Sequence, residues 1–470
     1  MTLEPHVKRI AIAVVLGSIM SVLSTTIVNV ALETLSVKLD SPLDDVQWVV
    51  TSYMLALAAV IPVSGWAVNR FGARRLYVLS LILFTAGSAL CGFAWNLETL
   101  IGARVLQGLA GGLLVPIGQM VLVRAAGPGN MARVMSAIGV PIILAPVFGP
   151  TLGGLLVEHI SWQAIFFVNV PVGIVAAVAA LRLLPRDEIA GAGEKLDAIG
   201  LALVATGLVG ITYGLAESGT TGSMTAAAVL VPALTGVALV ATFVVRALHI
   251  PNPLLDVRLY ANKAFASASV TTFALGAVLF GGMVLMPLYF QLVRGEDAVT
   301  TGLLLMPQGI GAALAMALSG RVTERLGGGL TSVLGASVMI VATLPFVLID
   351  EATPLTLLAA AMVVRGFGIG MSMMPAMTAA YATLEPEAIK DATPQLNVLQ
   401  RVGGSIGTAI LTVVLQKGFT SSAPAVMAGS FAHTFGWVIG IGAVALLPTI
   451  MLAVIERRRV TEREPELVLA

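Results

Sequence analysis

The sequence predicts an all-α integral membrane protein with fourteen transmembrane helices. Of the 470 residues 57% are hydrophobic and 11% charged, against roughly 25% charged in a soluble domain. Mean hydropathy is +0.97, too apolar for one globule to hide. Apolar runs of about twenty residues, the length that crosses a bilayer, recur along the whole chain. Loop charge agrees. All but six of the 26 basic residues lie at the termini or in one set of alternate loops; Lys38, Arg294 and Lys417 fall in the opposite loops, and Arg104, Arg365 and Arg401 in or at the edge of spans. The positive-inside rule then places both termini in the cytoplasm. An even number of spans requires the same.

The first run, 10–32, is too long for a signal-peptide core and no cleavage site follows it, so it reads as a retained span. Spans 46–68 and 76–95 are joined by a tight basic loop. Spans 98–123, 135–157 and 163–184 follow; the first of these carries an arginine and the second is rich in glycine and proline. Pro185 to Asp197 (PRDEIAGAGEKLD) reads as a cytoplasmic linker. Spans 198–216 and 225–248 come next, then 264–290, 301–320, 330–349, 354–382, 395–416 and 432–455. The tail after Arg457 reads as disordered.

Several function classes are excluded or disfavoured. Net charge is +1, so nothing draws the chain to nucleic acid. Cys91 is the single cysteine, so no disulfide framework exists. No HExxH pair or Gly-x-Ser-x-Gly turn occurs, and the four histidines are far apart. That argues against an enzyme and a metal centre. The absence of an extramembrane domain argues against a sensor.

The chain also repeats itself. GWAVNRFGARR (from Gly65) is echoed by GRVTERLGGG (from Gly320), Arg104 by Arg365, and Gly149 by Gly403, at offsets of 255, 261 and 254 residues. These imply two six-helix bundles plus two inserted helices: 1–184, an insertion with its linker at 185–263, 264–455, and a cytoplasmic tail at 456–470. Duplicated bundles around a midplane cavity are a common plan for secondary transporters.

Four groups of residues carry the candidate chemistry. Gly65, Asn69, Arg70, Gly72 and Arg74 suit a cytoplasmic gate loop, with Gly320, Glu324 and Arg325 as second-half counterparts, as Arg365 is of Arg104; the alternative is a basic loop that merely obeys topology. Arg104 is a permanent charge inside an apolar span, where it needs a partner or a water-filled cavity, unless it snorkels to an interface. Gln107 and Gly108 share its helix face. Gly149, Pro150, Gly153 and Gly154 form a kinked, close-packing hinge in the fifth span. Finally, at 100° per residue Ser21, Thr25, Asn29 and Glu33 form one polar stripe on the first span, with Ser24 well to one side. Such a stripe suits a helix lining a cavity, although hydroxyls also bond back to their own helix.

These segments resemble the major facilitator superfamily, and within it the fourteen-span drug:proton antiporter family. LSTTIVNVAL resembles that family's span-1 motif, WVVTSYMLALAAVIPVSGW its second span, RVLQGLAGG its span-4 motif and GPTLGG its antiporter-type span-5 motif. SWQAIFFVNVPVG, PLYFQ and GLLLMP are similar to stretches around spans 6, 9 and 10. The resemblance implies a major facilitator fold and export of small amphiphilic or cationic compounds across the cytoplasmic membrane, driven by proton entry through alternating access. It links Arg104 to proton movement, the span-5 motif to exchange direction and the Gly65 loop to gating. The proton is the coupling ion, with no other cofactor; the partners are a small-molecule substrate and the bilayer. A monomer is implied, and nothing points to a periplasmic adaptor.

Two positions depart from the family. Ser24 and Asn69 stand where members commonly carry Asp, and serine cannot titrate near neutral pH. A proton carrier must then be another acid. Glu33, Glu158 and Glu217 lie nearest the spans, and Glu33 is the first choice because it shares the polar stripe. The sparse charge favours neutral or lipophilic cargo over strongly cationic drugs. A lipid or metabolite exporter, and an uncoupled facilitator, remain alternatives on the same fold.

Overall fold

The computed structural model describes residues 4–127, 130–186, 195–421 and 423–468; most of the expected 185–197 linker lies outside them. Every one of the fourteen expected spans is occupied by helix. The first comprises α1 (Pro5–Thr26), a 3-10 stretch Ile27–Ala31 and α2 (Leu32–Lys38), and the second α3 (Leu43–Val46), α4 (Trp48–Val60), a 3-10 turn Ile61–Val63 and α5 (Ser64–Phe71). Pro62 sits in that turn, where its missing N–H interrupts the helix ladder. Then come α6 (Ala73–Gly92), α7 (Leu97–Ala126), α8 (Met131–His159), and α9 (Ala164–Phe167) with α10 (Asn169–Leu183). The inserted pair is α11 (Ala198–Thr221) and α12 (Ala227–His249). The remainder is α13 (Lys263–Leu292), α14 (Ala298–Leu326), α15 (Gly328–Thr343), α16 (Leu355–Tyr381), α17 (Ile389–Gly418) and α18 (Pro424–Val468).

Thirteen helical stretches among the described residues meet the length and hydropathy of a membrane span. The remaining helix, α8, has 29 residues, about 43 Å at 1.5 Å per residue, enough to cross as well.

One expectation is corrected. The tail after Arg457 is not irregular, because α18 carries on as helix to Val468. Pro150 lies inside α8, which runs through it as one helix, as the fifth span requires.

Helices α1, α4, α6, α7, α8 and α10 pack among themselves, and α13 to α18 do likewise. The two groups meet where α8 lies along α14 and α17 touches α5 and α7. The inserted α11 packs against both α4 and α17, with Trp48 stacked on Tyr213 at 5.8 Å and Gln416 donating to the Gly219 carbonyl at 2.6 Å. Helix α12 leans on α11 across a small-residue seam of Gly207, Gly210, Gly214 and Gly236. Its Val231, Leu234, Val237 and Val245 are left on the outside, as a lipid-facing helix requires.

The echoed loops share a backbone. Gly72 between α5 and α6 has φ 89° and ψ 143°, and Gly327 between α14 and α15 has φ 84° and ψ 161°. Each turns the chain within one residue at a positive φ that side chains resist. The two are 255 residues apart, the displacement of the sequence repeat.

Candidate functional site

The centre of the first half is Arg104, two turns into α7 and fully buried. Its helix is fixed by Asn96, whose side chain accepts from the Thr99 amide at 2.9 Å in a reciprocal cap. Gly108 and Gly112 then let α7 approach α4 until backbones touch, since a Cβ at either would meet the Tyr53 or Leu57 carbonyl. That approach brings Tyr53 beneath the guanidinium, 4.0 Å from the ring centroid, a favourable cation–π distance.

The guanidinium is otherwise held by neutral oxygens. Nε donates to the Val49 carbonyl at 2.9 Å, and Nη1 to Ser24 Oγ at 3.0 Å and to Gln107 Oε1 at 2.7 Å; Nη2 reaches the Ser24 carbonyl at 3.3 Å. Tyr53 in turn donates to the Ser21 carbonyl at 2.9 Å, and Ser21 to the Gly111 carbonyl at 3.0 Å. Arg104 does not snorkel. Four oriented acceptors and a ring replace water around a charge that apolar surroundings alone would expel.

The polar stripe of the first span is corrected. A straight helix would carry Ser21, Thr25, Asn29 and Glu33 down one face, but the chain tightens to 3-10 geometry at Ile27–Ala31. At three residues per turn the downstream side chains rotate off the stripe. Ser24, expected to one side, is the residue that meets Arg104. Thr25 bonds back to the Ser21 carbonyl at 3.1 Å, while Asn29 and Glu33 are exposed. Gly149 and Gly153 of α8 pack where the tightening occurs: a Cβ at the first would land on Thr26 and at the second on the Ile27 carbonyl. Gly154 is buried beside them and Pro150 half-buried.

In the second half Arg365 is also fully buried, and it too meets a glutamine, Nη1 donating to Gln308 Oε1 at 2.9 Å. Gly282 leaves the room that its guanidinium fills. Among the described residues, no acid stands in the interior of a span. Glu33, Glu98, Glu158, Glu217, Glu324, Asp391 and Glu456 all lie within a few turns of helix ends.

On the face bearing both termini the halves meet through several named contacts. A Cβ on Gly65 would land on the Lys390 carbonyl, so α5 and α17 are in backbone contact. Arg133 and Glu324 pair at 2.5 Å, Gly320 packs on Arg133, and Ser136 bonds Ser319 at 2.8 Å. Deeper in, Asn397 donates to Gln119 Oε1 at 2.7 Å, both buried. The expected gate loop is reduced to Gly72: Asn69 and Arg70 end α5 and Arg74 begins α6, all half-buried, and Arg325 is exposed beside Glu324. Sequence reasoning did not single out Tyr53, Gln308, Arg133, Gln119 or Asn397. Gln119 was visible as a lone amide in an apolar run.

Comparison with known proteins agrees with this architecture. The family description "Major Facilitator Superfamily" matches residues 14–408. The chain is 41% identical over 425 residues to the Multidrug resistance protein B homolog of Mycobacterium tuberculosis, covering 89% of this chain and 78% of that protein. It is 29% identical over 406 residues to the Multidrug export protein EmrB of Escherichia coli, covering 86% and 79%. Among solved structures, the human organic anion transporter MFSD10 (TETRAN) superposes with a TM-score of 0.66 at 14% identity, covering 96% of this chain and all of that one. That likeness is one of fold.

Proposed function

The chain belongs to the major facilitator superfamily, and from that premise we propose that it exports small amphiphilic or drug-like compounds from the cytoplasm by alternating access. It would act as a monomer in the cytoplasmic membrane, with both termini inside and the two six-helix groups as the moving halves. The named functions of its relatives support drug-like cargo. The observation that carries the reading is the set of inter-half contacts on the terminal face: the Gly65–Lys390 approach, the Arg133–Glu324 pair and the Gln119–Asn397 bond. These are few, polar and separable, as contacts that open and close in a cycle need to be.

Exchange for protons is part of the proposal, and Glu33 is its carrier. In the conformation described Glu33 is exposed, on the same span as Ser24. An uncoupled facilitator is the second reading, favoured by Ser24 at the guanidinium of Arg104. Purified protein in liposomes with a trapped pH dye separates them. Substrate-evoked proton flux in the wild type that disappears in Glu33→Gln supports exchange. Substrate movement down its own gradient with no proton signal leaves the facilitator.

A further inference from the structure

On the face bearing the termini, a groove of about 540 Å³ opens between the start of α6 and the end of α10. Arg74, Arg75 and Arg186 form its mouth, and Val78, Leu79, Ile82 and Leu181 line it. About half the surface of Leu79, Ile82 and Leu181 is exposed, on the side of the bundle that meets lipid. Ile82 lies nine residues into α6, about 13 Å below its first residue. The groove therefore runs from a cationic rim at headgroup depth to an apolar wall at acyl-chain depth. Arg74 donates to the Leu181 carbonyl, which fixes one guanidinium across the mouth.

The echoed helix shows what chemistry this place accepts. Helix α15 starts after Gly327 as α6 starts after Gly72. Its first amides, Gly328 and Gly329, donate at 3.0 and 2.6 Å to the two carboxylate oxygens of Glu456 on α18. Glu456 stands at the end of the last span as Arg186 stands just past the sixth. The second half thus supplies its own anion at the helix start. At the corresponding place in the first half Arg74, Arg75 and Arg186 gather beside an apolar wall open to the bilayer.

We propose that this groove is a binding site for an anionic phospholipid. Its phosphate sits among Arg74, Arg75 and Arg186, and an acyl chain lies along Val78, Leu79, Ile82 and Leu181. Juxtamembrane arginines attract anionic headgroups generally; the groove adds a defined place for the chain.

The test is native mass spectrometry of the full-length protein in detergent, titrated with dioleoylphosphatidylglycerol or dioleoylphosphatidylcholine. The wild type should retain the anionic lipid in preference to the zwitterionic one. Arg75→Gln with Arg186→Gln should weaken retention of the anionic lipid on the order of tenfold, leave the zwitterionic lipid unchanged, and unfold at the wild-type temperature. Arg186→Gln alone, at an exposed position, should give a smaller loss in the same direction. Arg321→Gln, an exposed arginine on the same face outside the groove, is the control. Equal retention of both lipids by the wild type overturns the site, as does an Arg321→Gln loss matching that of the double variant. Full displacement of the lipid by inorganic phosphate would also overturn it, since a headgroup-only site has no use for the apolar wall.

Discussion

At the scale of single residues, the chemistry turns on a charge that has no counter-charge among the described residues. Ser24 Oγ is one of the acceptors holding Arg104. Ser24→Ala should cost about 1–3 kcal/mol through an unsatisfied buried donor, read as a lower unfolding temperature in detergent. Ser24→Asp is the more informative variant. It places an ionisable group against the guanidinium, and substrate-evoked proton flux in liposomes should become stronger than in the wild type. An unchanged flux would show that this position takes no part in coupling. Arg104 and Arg365 are legible in the sequence because a charge in an apolar run has few explanations. Tyr53 is not, since an aromatic ring in such a run reads as lipid-facing until the glycines of α7 are seen to draw α4 across. The polar stripe misleads for a different reason: its 100° period assumes one helix type, and the 3-10 stretch at Ile27–Ala31 is set by packing against α8 from about 120 residues away.

At the scale of elements, the seams between halves decide which conformation is held. Gly65→Val puts methyl groups where the Lys390 carbonyl stands and should force α5 away from α17. A cysteine at buried Asn397, below the terminal face, in a Cys91→Ser background should then react faster with a water-soluble maleimide than the same cysteine without Gly65→Val. The Arg133–Glu324 pair is part-exposed and worth about 1 kcal/mol or less. Arg133→Glu should raise the same labelling rate a fewfold, and adding Glu324→Arg should bring it back. The spans and their order were readable from hydropathy and loop charge because lipid imposes both. Partnerships between helix-end charges were not, since Arg133 and Glu456 look like any residues that keep a terminus in water. The continuation of α18 past Arg457 was missed because charge and proline there suggest irregular chain.

At the scale of the whole molecule, the inserted helices and the repeat fit together. Helix α11 contacts both six-helix groups, so a rocking motion must slide it against α4, α17 or both. Trp48→Ala removes its aromatic stack on Tyr213 and should lower the unfolding temperature by a degree or two, about 1 kcal/mol, more than the same change at exposed Trp95. The repeat itself was legible from loop motifs and one arginine per half, and the matching glycine turns give those echoes a shared backbone shape. What differs between the halves, an internal acid at one helix start and arginines at the other, emerges only from the folded chain.

The buried arginines carry a further consequence. With Arg104, Arg365 and Arg401 inside the spans and no acid in the interior of the described helices, the empty protein is itself a charge in the transmembrane field. Moving one elementary charge across 100 mV is worth about 2.3 kcal/mol. A conformational change that shifted Arg104 and Arg365 by a quarter of that drop would change the balance between its two states by about 1 kcal/mol per 100 mV. The carrier would then be a voltage-sensing device even without cargo. Its resting orientation would be set partly by the polarity of the cell that holds it, and a small transient displacement current would mark each reorientation.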